Sequence, residues 1–240
     1  MGAIGENLQA VRARIAAAAL AAGREAPTIG LLAVSKTFGA EAVAEAVAAG
    51  QRAFGESYVQ EAVDKIAQLA DRDLEWHFIG PIQSNKTRLV AEHFHWVHSV
   101  ATLKTARRLS EQRPAGLGPL SVCLQVNVSG ESTKSGVSEA ELPALAAAVA
   151  SLPGLRLRGL MCIPAPAEGI DAQRRPFARL GWLRDRLVAD GLCLDTLSMG
   201  MSDDLEAAVA EGATWVRVGS AIFGARPVAA AGTIGVRGGA

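Results

Sequence analysis

The 240-residue chain is half hydrophobic and one fifth charged, the composition of an ordinary soluble globular protein with one large core. Lys plus Arg and Asp plus Glu balance at 24 each, so no net field favours nucleic acid or an anionic membrane surface as a partner. No basic segment leads into an apolar leader, and the Ala-dominated run at 15–23 is too short to cross a bilayer.

A loose apolar stripe of Leu8, Val11, Ile15 and Leu20 predicts a helix over 5–22, stopped by Gly23. Beyond it, short apolar runs alternate with helical stretches. The runs predict strands at 29–36, 52–57, 74–80, 94–100, 120–128, 155–163, 194–200 and 214–220. Helices are expected between them at 40–50, 58–70, 85–92, 102–112, 138–152, 171–190 and 202–212, with a last short one from Ala221. Strands separated by helices pair in parallel through right-handed crossovers. Eight such units close into a single (β/α)8 TIM-type barrel of the α/β class, here with an extra N-terminal helix. An open doubly wound sheet is the alternative. No Pro/Gly/Ser linker breaks the pattern, which gives one barrel domain over 1–226. Residues 227–240 are dominated by Gly and Ala and read as a flexible C-terminal tail.

Cys123, Cys162 and Cys193 each sit in an apolar run without CxxC spacing. They are expected to be buried, reduced thiols, which fits a cytoplasmic protein. His93, His95 and His98 crowd the fourth strand without carboxylate or Cys partners at ligand spacing, so no metal site is expected. No face shows an obvious dimer stripe, and a monomer is expected.

In a (β/α)8 barrel the chemistry sits at the C-terminal ends of the strands. Alternation puts Leu32, Val34 and Lys36 on one face of the first strand. If that face looks inward, Lys36 is an amine above an apolar layer, where lost hydration favours the neutral, nucleophilic form. Otherwise it is a surface lysine just past a strand. The segments SMGMSDD and VRVGSAIFG set Gly and Ser between a strand and a helix start, where backbone N–H groups and hydroxyls can hold an anion. The loops after strands seven and eight often bind phosphate in this fold. Ser202 could instead cap the helix that follows, and Gly219-Ser220 could be a plain turn. Arg217, between Val216 and Val218, needs either a structural ion pair or a ligand. His77, between Trp76 and Phe78, is either a hydrogen-bonded core residue or a group that reaches the site.

Together the stretches LLAVSKTF (31–38), RAFGESYVQEAVDK (52–65), WHFIGPIQSNK (76–86), LQVNVSGESTKSG (124–136), LRGLMCIP (157–164) and LSMGMSDDLEAAVAEGATWVRVGSAIFGAR (197–226) resemble the YggS/PROSC-type pyridoxal phosphate homeostasis proteins. The resemblance implies a fold-type III barrel similar to the N-terminal domain of alanine racemase. It implies that Lys36 carries pyridoxal 5'-phosphate (PLP) as a Schiff base, that Ser202, Gly219 and Ser220 hold the phosphate, that Met199 lies near the cofactor, and that Arg217 faces the pyridine nitrogen. The second-strand motif departs from the family's usual GEN: it reads Gly55-Glu56-Ser57, and Ser57 keeps only a hydroxyl for any ring contact. The expected function is PLP binding and supply within the cell, without substantial turnover, with PLP-requiring apoenzymes as recipients. An amino-acid racemase needs a second base, and the only tyrosine is Tyr58, beside strand two. A Schiff-base aldolase working without PLP is a further alternative.

Overall fold

The computed structural model describes residues 2–130 and 135–225. The expected tail at 227–240 lies outside the described residues. Eight parallel strands form a closed barrel in sequential order: β1 (Gly30–Val34), β2 (Ala53–Glu56), β3 (Glu75–Phe78), β4 (Trp96–Val100), β5 (Leu120–Gln125), β6 (Leu155–Met161), β7 (Thr196–Ser198) and β8 (Trp215–Val218). The open-sheet alternative is excluded, because β8 pairs with β1 and leaves no edge.

The helices run α1 (Ala3–Ala21), α2 (Ala40–Ala48), α3 (Val59–Gln68), α4 (Thr87–His93), α5 (Leu103–Gln112), α6 (Leu142–Ala150), α7 (Ile170–Ala189), α8 (Leu205–Ala210) and α9 (Ser220–Phe223). Two of them begin later than the residue pattern suggests. Pro143 fixes the start of α6, since proline lacks the N–H that the first turn leaves unused. In α8 the cap position is Asp204, whose Oδ1 accepts the Met201 N–H at 2.6 Å. Ser202 therefore does not cap α8.

Outward-facing strand residues and the apolar faces of the helices make the main core, with Phe54, Phe78, Phe94 and Phe177 among its fully buried side chains. Each such ring contributes roughly 1.5–3 kcal/mol by leaving water. The bore holds a smaller apolar cluster of Trp96, Cys123 and Met161, beside a polar set from β3, β4, β7 and β8. Cys123 and Cys162 are buried as expected, with burial pushing both thiols up to about 12. Cys193 departs from the expectation: it is exposed, in the turn before β7.

The extra helix α1 is a brace for the C-terminal ends of the last two units. Asn7 Nδ2 donates to the Ile222 carbonyl at 3.0 Å, and Arg14 donates to the Ser202 carbonyl at 2.9 Å and to Glu206. Arg24 donates to the carbonyls of Val209 and Ala213, both at 2.8 Å.

Backbone approaches backbone closely in the barrel wall at Gly159, where an added Cβ meets the Thr196 carbonyl oxygen at 1.8 Å. Gly159→Ala is expected to destabilise the barrel by about 1–3 kcal/mol through overpacking. Thermal unfolding checks this, as a fall in Tm of roughly 2–4 °C for each kcal/mol.

Candidate functional site

The turn after β1 is held rigidly from outside the barrel. Ser35 is fully buried, and its hydroxyl donates to Glu56 Oε1 at 2.6 Å. Lys65 of α3 is 3 % exposed and donates to the Ser35 carbonyl at 2.8 Å, to Glu56 Oε1 at 2.5 Å and to Glu61 Oε1 at 2.8 Å. Glu61 also accepts the Thr37 N–H at 2.7 Å, and Thr37 adopts a left-handed backbone with φ 70°. Such a conformation is costly for a β-branched residue and persists only where its surroundings impose it. The two neighbours of Lys36 are thus pinned on the outer face, which turns the Lys36 side chain inward. Burial pushes the Glu56 carboxyl up, while Lys65 and Ser35 pull it back toward the charged form. Lys65 is not among the residues that the sequence pattern singles out. The Glu61–Lys65 spacing marks a helix pair, but not a buried one.

Lys36 lines a cavity of about 240 Å³ at the C-terminal ends of the strands, together with Ser57, Ser202, Arg217, Gly219 and Ser220. Val34, Phe38, Ile79, Ile163 and Met201 give it apolar walls. Phe38 stacks on Phe223 at 5.2 Å, tying the Lys36 turn to α9. A larger hollow of about 580 Å³ opens at the opposite end of the barrel, lined by Arg156, Arg158, Cys193 and Asp195. It lies at the N-terminal ends of β6 and β7, and Arg158 is already spent there on Asp195 at 2.7 Å. The smaller cavity is where amine, guanidinium and hydroxyls converge.

Two sequence candidates stand elsewhere. Met199 is fully buried in the outer core, because alternation from inward-facing Ser198 turns it toward the helices, and Met201 lines the cavity instead. His77 lies deeper in the bore. Its Nδ1 is 2.9 Å from His98 Nε2, and its ring stacks on Trp96 at 5.6 Å. Arg217 has no carboxylate partner among the described residues. Nη1 donates to Ser198 Oγ and Nη2 to the Cys162 carbonyl, both at 2.9 Å. With only 4 % of its surface exposed, it is a buried cation among neutral acceptors, facing a cavity. An anionic or electron-rich ligand atom would complete its surroundings.

The opposite side of the cavity suits a phosphate. The first N–H groups of a helix lack partners within it. In α9 the N–H groups of Ile222 and Phe223 both turn to the Gly219 carbonyl at 2.9 Å, and no protein acceptor takes those of Ser220 and Ala221 among the described residues. The hydroxyls of Ser57, Ser202 and Ser220 likewise have no protein partner there. An added Cβ at Gly219 would stand 3.2 Å from the Val34 carbonyl oxygen, so the two strands approach closely at this seam. The donor set (an amine, a guanidinium, hydroxyls and free amides around a small half-apolar space) fits an aromatic aldehyde bearing a phosphate.

The comparisons with known proteins decide the kinship. The family model described as "Alanine racemase, N-terminal domain" matches residues 4–227. A pyridoxal phosphate homeostasis protein of Pseudomonas aeruginosa is 66 % identical over 226 residues, covering 94 % of this chain and 97 % of its own length. This chain belongs to the pyridoxal phosphate homeostasis protein family. The Escherichia coli K12 homeostasis protein is 56 % identical over 233 residues, covering 94 % of this chain and 98 % of its own. Among solved structures, PipY of Synechococcus elongatus with PLP bound superposes with a TM-score of 0.81 at 39 % identity, covering 92 % of this chain and all of that one. Alanine racemase from Corynebacterium glutamicum shares the fold at a TM-score of 0.65 and 22 % identity, and only 62 % of its chain is covered.

This barrel buries two imidazoles, those of His77 and His98, in its bore. Burial holds His77 below the ordinary value of 6.5 and His98 well below it, and it also lowers His95. A histidine depressed on folding binds fewer protons folded than unfolded, so its contribution is present above about 6.5 and is lost as the pH falls. Urea unfolding followed from about pH 7.5 down to pH 5 is expected to show falling stability. His98→Gln should flatten that slope.

Proposed function

We propose that this chain binds PLP in the Lys36 cavity and holds it for delivery rather than for turnover. The observation that carries the reading is the convergence of Lys36, buried Arg217 and the unpartnered Ser202–Ser220 donors on one small cavity. Lys36 would hold PLP through its amine, which can condense with the aldehyde to form a C=N bond with release of water. The hydroxyls of Ser202 and Ser220 and the amides that open α9 would bind the phosphate. Ser57 and Ile79, which line the cavity, would flank the ring. Arg217 would face the ring nitrogen, where a guanidinium disfavours a protonated pyridine and makes the cofactor a weaker electron sink. The PLP-bound PipY and the names of the homeostasis relatives support this assignment.

Delivery within the cytoplasm to PLP-requiring apoenzymes, by a monomer, completes the proposal. No helix among the described residues is long and apolar enough to cross a membrane. Two of the apolar residues that line the cavity, Ile163 and Met201, are exposed, which suits a site that passes its ligand on.

Kinship of fold with alanine racemase favours a second reading, in which the site moves protons on an amino acid. Against it, the chain's one tyrosine, Tyr58, does not line the cavity and is 56 % exposed. The loaded protein is therefore expected to show no turnover of free D- or L-amino acids above the rate of free PLP. Chiral chromatography after incubation with alanine checks this, and turnover abolished by Lys36→Ala would establish the racemase reading.

The purified protein incubated with PLP should be yellow and keep its colour on dialysis, while Lys36→Ala should lose that absorbance. A wild-type protein that takes up no PLP would favour aldolase chemistry on Lys36. Ser202→Ala and Ser220→Ala should each weaken retention by about 1–3 kcal/mol, the cost of one hydroxyl bond to a dianion. Equilibrium dialysis reads this. Unchanged retention in both variants would place the phosphate elsewhere.

A further inference from the structure

The bore below the cavity contains an unbroken chain of buried polar side chains. It descends from Arg217 Nη1 to Ser198 Oγ at 2.9 Å, from Ser198 Oγ to His98 Nδ1 at 2.7 Å, and from His98 Nε2 to His77 Nδ1 at 2.9 Å. It ends at His77 Nε2, 3.5 Å from Glu75 Oε2. That last contact is electrostatic, because His77 Nε2 makes no hydrogen bond. Ser198, His98 and His77 are fully buried, whereas the Glu75 side chain is 42 % exposed, at the opposite end of the barrel. Trp96 holds Glu75 in place by donating its indole N–H to Oε1 at 2.7 Å.

Counting donors fixes the direction of the chain. Arginine can only donate, so Ser198 accepts from Arg217. If Ser198 in turn donates to His98 Nδ1, that nitrogen carries no proton and Nε2 does. His98 Nε2–H then donates to His77 Nδ1, and the remaining proton of His77 sits on Nε2, facing the Glu75 carboxylate. Every donor points from the cation toward the anion. The opposite arrangement, with both imidazoles protonated on Nδ1, leaves the Ser198 proton buried without an acceptor. It also sets an imidazole lone pair against the carboxylate. Both ends of the chain oppose it, the Ser198 end by an unpaired buried donor and the His77 end by electrostatic repulsion from Glu75. Burial keeps both rings neutral, as this arrangement requires.

We propose that Ser198, His98 and His77 form a directional hydrogen-bond relay through the barrel bore, ending against the Glu75 carboxylate, that aims the Arg217 guanidinium into the cofactor cavity, with Ser198 and His98 as positioning residues. The relay gives Arg217 a remote counter-charge in place of an adjacent carboxylate. A carboxylate beside Arg217 would fill its donors and draw it from the cavity. A neutral hydroxyl polarised from below leaves the cation's field directed at the ligand. Glu75 thereby bears on the ring nitrogen from the other end of the barrel.

The role assigned to the relay rests on PLP occupying the cavity, but its direction does not, so the two can fail separately. The first measurement is nitrogen-15 imidazole spectroscopy of the protein free of PLP, with His77→Gln and His98→Gln for assignment. The expected result is an Nε2–H, Nδ1-unprotonated signature for both rings, and Nδ1–H on either ring overturns the relay. The second measurement compares PLP-loaded Ser198→Ala with Ser198→Thr. Ser198→Ala should shift the absorbance band of bound PLP and release PLP faster on dialysis, while Ser198→Thr, which keeps the hydroxyl, should restore both. A Ser198→Ala protein with unaltered band and unaltered release overturns the positioning role. If wild-type protein fails to take up PLP while the imidazole signatures are as expected, the cofactor assignment fails and the relay stands.

Discussion

Leu32 lies opposite Arg217, and Ala33 opposite Val218, across the seam where β8 meets β1. That register is the constraint on which the rest depends. It brings the first strand's lysine and the last strand's arginine, 181 positions apart by number (217 − 36), to the rim of one cavity. It also sets Gly219 against Val34, so that the helix start carrying Ser220 faces Lys36. A one-residue slip would turn Arg217 into the outer apolar layer and Val216 or Val218 into the bore. Such a slip is costly, because Val216 and Val218 lie in the apolar core that the guanidinium would then enter.

Two polar systems flank this seam and work differently. Outside the barrel, Lys65, Glu56, Glu61 and Ser35 form a compact ionic knot around the backbone on either side of Lys36. Burying such charges is expensive, and removing one partner would strand the others. Its structural effect is a fixed exit for the lysine, including the left-handed Thr37. Inside the bore, neutral imidazoles and a hydroxyl replace charges, and their effect is directional rather than clamping. One system places the nucleophile and the other aims the cation.

Much of this was legible in the chain. The eight apolar runs and their helical spacers give the barrel, because buried parallel strands read as continuous apolar runs separated by helices. Lys36, Ser57, Ser202, Arg217, Gly219 and Ser220 follow from asking what stands at the strand ends. The misses have local causes. Met199 was placed at the site although strand alternation, counted from Ser198, turns it outward. The pairing of His77 with His98 spans 21 positions and depends on the stagger between adjacent strands, which residue patterns do not encode. Lys65 reads as an exposed helix residue, and only the packing of α3 against β2 reveals that its amine is enclosed.

The brace that α1 lays across the far end of the chain has a consequence for how the protein is made. Asn7 reaches Ile222, 215 positions later, and Arg14 reaches Ser202, 188 positions later. These docking partners of α1 are therefore synthesised long after it. Until β8 and α9 have formed, the seam is open and α1 is held on its other side, where Arg12 donates to the Ala49 carbonyl at 3.1 Å. The two halves of the cavity are joined only when the last strand closes against the first.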